Sequence, residues 1–248
     1  MVASTRIKLP RKHNLHGVNV SATTYEEVVD CCIAMAQCGQ SAIVDLMPVH
    51  GLVSAATDEK YMKVMNAFDI VAPDGQPVRW SLNFFHRAHL ADRVYGPALT
   101  YRLCEAAALN GVPIYLYGSS PEVIEMLCKN LMHAFPTLQI VGAESPPFRP
   151  LTAEEDQQVI DRINNSGAGL VFLGTGCPKQ ELFAYHHRKS IKGVQLCVGA
   201  AFDFHAGVKK VAPSWMQKRG LEWLFRLTQE PKRLWKRYMI YNSMFLWL

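Results

Sequence analysis

The sequence predicts an α/β fold: a mostly parallel sheet flanked by helices, followed by a basic helical appendage at the C-terminus. Three observations predict it. Short β-branched runs alternate with helical patterns along most of the chain. Capping boxes and Gly- or Pro-rich turns punctuate those runs. Charge is also uneven: between Gly207 and Tyr238 nine Lys/Arg face two acids, a segment of +7 in a chain of net +5, so the rest sums to −2.

The elements follow in order. Val18 to Val20 reads as a first strand, and Thr24-Tyr-Glu-Glu27 is a capping box opening a helix to about Cys38. Ala42 to Leu46 is a strand, with helical material through Phe68. Ile70 to Ala72 is a short strand stopped by Pro73-Asp74-Gly75, with a helix from Pro77. Gly96-Pro97 opens a helix to about Asn110, and Pro113 to Tyr117 is the next strand. Ser119 and Glu122 fit a second capping box after Gly118. Leu138 to Val141 is a strand, Ser145 to Pro150 a loop, and Thr152-Ala-Glu-Glu155 caps a helix to about Asn164. Leu170 to Leu173 and Val194 to Val198 are strands ending in Gly174-Thr-Gly176 and Gly199-Ala-Ala-Phe-Asp203. From Pro213 the chain reads as helices broken at Pro231.

Composition narrows the function classes. At 49% hydrophobic and 19% charged, the chain has enough apolar surface for a full core and is not disordered. Its seven cysteines are never spaced as CxxC, so neither a zinc site nor a disulfide framework is expected. Met1 to Pro10 lacks the apolar centre of a secretory signal, and no apolar run reaches the roughly 18 residues of a spanning helix. The expectation is a cytoplasmic chain whose basic tail seeks an anionic partner.

In open α/β sheets, ligands sit beyond the C-terminal strand ends, where free helix N–H groups meet phosphate. The small-residue loops at Gly118, Gly174-Thr-Gly176 and Gly199-Ala-Ala together point to a nucleotide or diphosphate site, although each alone also reads as a tight turn. Asp74 stands at a strand end, where a carboxylate can take a proton from an attacking hydroxyl; Pro-Asp-Gly is equally a favoured turn. A departing diphosphate needs a metal or fixed cations. With no Asp-x-Asp pair present, Arg93 and the tail arginines Arg226, Arg233 and Arg237 are the available cations, and no metal or other cofactor is expected. The tail interleaves Trp and basic residues, a pattern that suits a membrane interface; packing on the body or another subunit is the plainer alternative. No nucleic-acid module is present, so no nucleic-acid partner is expected.

The segments Ala72-Pro-Asp-Gly75, Arg93-Val-Tyr-Gly96, Phe172-Leu-Gly-Thr-Gly-Cys-Pro-Lys-Gln-Glu181, Val198-Gly-Ala-Ala-Phe-Asp-Phe-His-Ala-Gly207 and Ala212 to Pro231 resemble, in this order, the WecG/TagA/CpsF glycosyltransferases (family 26) from about Asn14 to Tyr238. The resemblance implies a Rossmann-like catalytic domain over residues 1–208 and a basic amphipathic appendage over 209–248 that meets the membrane and completes the active site. It implies an inverting, metal-independent transfer from a UDP-sugar to a polyprenyl-diphosphate-linked sugar, in cell-surface or exopolysaccharide synthesis. The protein would work peripherally on the inner face of the plasma membrane. Carried across, Asp74 matches the base and Gln180 a pocket-lining residue; Arg93, Arg226 and Arg233 match phosphate-holding residues, with Arg237 beside them. Gly118, Gly174, Gly176 and Asp203 complete the expected substrate contacts.

One stretch departs from the pattern. Many relatives carry Thr-x-Asn-Pro where this chain has Asp45-Leu-Met-Pro48, so Asp45 competes with Asp74 as candidate base. His50 is expected either to face ligand or to serve structure. Two other readings compete: a nucleotide-binding oxidoreductase, disfavoured because Lys179 replaces the third fingerprint glycine, and a membrane-peripheral scaffold without catalysis. A homo-oligomer is a further expectation, because an apolar tail face serves a subunit contact as well as a bilayer.

Overall fold

The structure, a computed structural model, describes residues 7–247. It opens with an antiparallel hairpin, β1 (Lys12–Leu15) and β2 (Val18–Ser21). The two-residue turn His16-Gly17 has φ of 52° and 89°, and positive φ at both central positions is what a tight hairpin turn with the right twist requires. Then come α1 (Tyr25–Gln37), β3 (Ala42–Met47), α2 (Val49–Thr57), α3 (Glu59–Asn66) and β4 (Ile70–Pro73). The middle of the chain forms α4 (Gln76–His86), α5 (Gly96–Asn110), β5 (Ile114–Gly118), α6 (Pro121–Ala134) and β6 (Ile140–Glu144). It continues through α7 (Ala153–Ser166), β7 (Leu170–Gly174), α8 (Lys179–His187), β8 (Val194–Cys197) and α9 (Ala201–His205). The basic tail folds as α10 (Ser214–Lys218), α11 (Glu222–Gln229) and α12 (Pro231–Trp247).

Six strands form one sheet in the order β4-β3-β8-β7-β5-β6, and every neighbouring pair is parallel. All six C-terminal strand ends therefore lie along one edge. Strand alternation sorts the core onto two faces. Val44, Leu46, Leu116, Phe172 and Leu196 pack under α1, α5 and α6, including Met35, Leu103 and Leu127. Ile43, Met47, Val71, Leu173 and Cys197 pack under the hairpin, α2, α3, α4, α7 and α8, including Val20, Leu52, Met65, Leu82 and Ile160.

The capping boxes at Thr24/Glu27 and Thr152/Glu155 form as expected, each Thr hydroxyl accepting from the Glu N–H. The helix after β5 differs: Ser120, not Ser119, caps α6 and accepts from the Val123 N–H, because Ser119 takes a left-handed φ of 62°. The hairpin's first strand was also absent from the expected elements; Lys-His-Asn-Leu carries little apolar alternation and pairs through its turn. The strand expected at Leu138–Val141 lies two residues later.

The tail returns to the body. α12 packs along α2, Leu234 is buried, and Phe245 reaches the core beneath the hairpin. Among the described residues no helix is long and apolar enough to cross a membrane.

Candidate active site

At the β4 end of the sheet edge, a cavity opens between the body and the tail. It is lined from the body by Pro48, His50, Asp74, Gln76, Arg93 and Tyr95, and from the tail by Glu222, Trp223, Arg226, Tyr238, Tyr241 and Asn242. Three helices begin at its wall. α2, α4 and α5 start at Pro48, Gly75 and Tyr95, and none of these positions caps its helix with a side chain. Thr24, Asp58, Ser120 and Thr152 cap α1, α3, α6 and α7, while α8, α9, α10 and α11 likewise begin without a side-chain cap. The N-termini of α2, α4 and α5 turn the positive end of the helix dipole toward the cavity, which favours anions there; at α5 the carboxylate of Asp74 itself takes the first N–H.

Asp74 follows β4 directly and is half-buried. Its Oδ1 accepts from the Gly96 N–H at 3.3 Å, at the start of α5. Burial pushes its pKa up to about 6, with Glu222 adding to the rise and Arg93, Arg226 and the Gly96 hydrogen bond holding it back. A carboxylate so placed is ionised at neutral pH yet basic enough to accept a proton.

Arg93 is the chief counter-charge. It donates to the backbone oxygen of Asp74 at 3.2 Å, lies 4.6 Å from the centre of the Tyr95 ring, and pairs with Glu222 of α11. That pair fastens the tail to the body beside the carboxylate. The Tyr95 N–H donates to the Tyr25 hydroxyl at 2.8 Å, which fixes the start of α5. Arg226 lines the cavity with its guanidinium 5.7 Å from the Phe204 ring centre. His50 sits in the first turn of α2, edge-on to Tyr241 at 6.1 Å. Arg233 and Arg237 fall on α12, but their side chains lie outside the described residues.

The remaining expected residues lie elsewhere along the edge. Gly174 and Gly118 end strands three and four places from β4; at a spacing of about 4.8 Å per strand they stand roughly 14 and 19 Å away. Their lack of a side chain is a packing requirement. A Cβ on Gly118 would meet the Gly174 backbone at 2.5 Å, and one on Gly174 would meet the Phe202 ring at 2.4 Å. Asp203 borders this region, accepting from the Ser119 hydroxyl at 3.2 Å and pairing with Lys209 at 2.7 Å.

Between the two regions lies a buried polar network. Gly176 has φ of 83° and donates its N–H to Gln180 Oε1 at 3.2 Å; Gln180 Nε2 in turn donates to Glu181 Oε1 at 2.8 Å. Below it, Asp45 is only 1% exposed and lines neither this cavity nor the neighbouring one that also includes His50 and Tyr241. Asp45 and Glu181 hydrogen-bond to each other, and burial with that mutual repulsion drives the Asp45 pKa far up. Among the described residues Asp45 Oδ1 and Glu181 Oε2 find no conventional nitrogen or hydroxyl donor, and one proton held on Asp45 serves the pair. Asp45 thus sits in a sealed pair, away from any incoming hydroxyl.

Sequence reasoning passed over Gln76, Tyr95, Glu222, Tyr238, Tyr241 and Asn242. Glu222 left a signal: it is one of two acids among nine bases in the tail, and an isolated acid in such a run invites a buried partner. Gln76 donates to Asp92 at 3.2 Å while its buried Oε1 has no partner among the described residues. The aromatic residues left none beyond composition.

Comparison with known proteins matches the chain over residues 13–248 to the model of the glycosyl transferase WecG/TagA/CpsF family.

Proposed function

Because the chain belongs to the WecG/TagA/CpsF family of glycosyl transferases, we propose that it moves a sugar, with inversion, from a UDP-sugar to a polyprenyl-diphosphate-linked saccharide in bacterial cell-surface polysaccharide synthesis. The single observation that carries this reading is Asp74 in the wall of a cavity ringed by Arg93, Arg226 and the starts of α2, α4 and α5. With Oδ1 held by the Gly96 N–H, Oδ2 accepts the proton of the acceptor hydroxyl. The hydroxyl oxygen forms its bond to the anomeric carbon as the bond to the UDP oxygen breaks, and the bonding electrons leave with the diphosphate. Arg93, Arg226 and the helix termini meet that charge, with Arg233 and Arg237 supplying further cations from α12. No metal is needed on this reading. The buried Gln76 Oε1 suits a donor hydroxyl of a sugar.

On this reading the nucleotide extends from the cavity along the strand ends toward Gly174, Gly176, Gln180, Gly118 and Asp203, with His50 beside the reacting sugar. The basic tail, residues 209–248, holds the protein to the inner face of the membrane as a peripheral appendage.

The test is a panel of UDP-sugars against a short-chain polyprenyl-diphosphate sugar, following UDP release with and without chelator. Release that needs wild-type Asp74 and survives chelator is the expected result. Full activity in Asp74→Asn would overturn the assignment of the base, and loss of activity in chelator would overturn the metal-free step. Removing the tail should free the protein from membranes, whereas Asp74→Asn should leave it bound.

A further inference from the structure

The tail does not hold all of the exposed aromatic surface. On α4, Trp80, Phe84 and Phe85 are 50%, 81% and 62% exposed. Trp80 and Phe84 are four residues apart and so share one helical face, and the Phe84 and Phe85 rings meet edge to face at 5.1 Å. Elsewhere Leu109 and Phe148 are exposed singly, as is normal for a surface; three large rings on adjoining turns are not.

The patch is continuous with the tail. The Trp80 ring lies 3.5 Å from the position a Cβ would occupy on Gly220, in the turn joining α10 to α11. On either side of that turn Trp215 and Trp223 are 53% and 41% exposed. The rim is basic, with Arg87, His89 and Arg219 all exposed. Gly220 and Trp223 also line the mouth of the Asp74 cavity.

We propose that the aromatic face of α4 is a second membrane-docking surface, which seats with the α10–α11 turn on an anionic lipid bilayer. This rests on the membrane-bound acceptor of the preceding section and deepens it. Aromatic rings beside cations match the depth and charge of an anionic interface. Two docking elements, where one tail helix would leave the body free to swivel, fix its orientation. Because the first turn of α4 and the α10–α11 turn both line the same cavity, the mouth that receives a lipid-linked acceptor faces the bilayer.

Flotation of the full chain with vesicles of phosphatidylcholine, alone or with phosphatidylglycerol added, tests this without any substrate. Phe84→Ser with Phe85→Ser should weaken apparent vesicle affinity about tenfold to a hundredfold, the loss expected when two rings no longer leave water. Arg87→Asn, which suits the left-handed backbone there, should weaken binding only when phosphatidylglycerol is present. Turnover on a water-soluble short-chain acceptor should be unchanged in both, and the melting temperature should match wild type. Unchanged flotation in the double variant overturns the proposal. So does a double variant that floats normally but elutes as a smaller species in gel filtration, which would assign the patch to a second copy of the chain. Absence of transferase activity in the wild type would count against the preceding section and not against this surface.

Discussion

Asp45 lies within β3, Asp74 directly follows the neighbouring parallel strand β4, and in register Asp45 lies opposite Val71, three residues before Asp74. That short displacement along the strand separates two kinds of carboxyl. Asp74 has passed the last β4 residue, meets three helix starts and two arginines, and titrates at about 6. Asp45 points from within β3 into the face covered by α3 and α8, where its nearest polar company is Glu181, Tyr61, Cys177 and Cys197. Burial raises both; only Asp74 has cations at hand to keep its charge accessible. A carboxyl at the strand end can exchange a proton with a ligand, whereas one strand step inward it is confined to holding its neighbour.

The largest expected effect breaks the chemical side of this contrast. Asp74→Asn should lower kcat by about a hundredfold to ten-thousandfold, the usual worth of a positioned base. Its folding stability at pH 8 should hold or rise. The sign follows from the raised folded pKa: the ionised Asp74 costs stability as pH climbs from the ordinary carboxyl range through about 6, and the amide removes that cost. A large loss of melting temperature would show that Asp74 is structural.

Asp45 should behave inversely. Asp45→Ala leaves the buried Glu181 with Gln180 but without the proton Asp45 shares, and should cost about 2–3 kcal/mol in denaturant unfolding. Asp45→Asn keeps a donor and should cost well under half of that. Both should retain Asp74-dependent turnover once folded; a kcat loss in Asp45→Asn as deep as in Asp74→Asn would erase the distinction.

The pH profile sharpens the comparison at smaller scale. The acidic limb of kcat/KM should bend near pH 6 and fall tenfold per unit below it, since the base works only when deprotonated. Arg93→Gln removes the leading stabiliser of the Asp74 charge and should move that limb to higher pH. Glu222→Gln removes a repelling charge and should move it lower, by less. Shifts in the opposite sense would mean that another group carries the limb.

Much of this was legible along the chain. Alternating β-branched runs gave the strands, and Thr24 and Thr152 gave two helix starts within a residue. The turn Pro73-Asp74-Gly75 placed a carboxyl at a strand end, because Pro cannot continue the ladder. What failed did so for local reasons. Ser119 and Ser120 offer equal hydroxyls, and only the left-handed φ at Ser119 selects the second as cap. His16-Gly17 is a weaker hairpin signal than Asn-Gly, so β1 went unread. The glycines at 118 and 174 looked like ligand loops and also answer a close approach between β5, β7 and Phe202 that no window of sequence contains.

By itself, then, the sequence determined the order of strands and helices, the end of the sheet at which Asp74 emerges, and the concentration of positive charge in the tail. These depend on neighbours a few residues apart. Only the tertiary structure decided that Glu222 would lie against Arg93, 129 positions away, that α12 would fold back along α2, and that Asp45 would be sealed against Glu181. Each of those depends on which distant surfaces exclude water together, and the energy of a charge changes most with that exclusion.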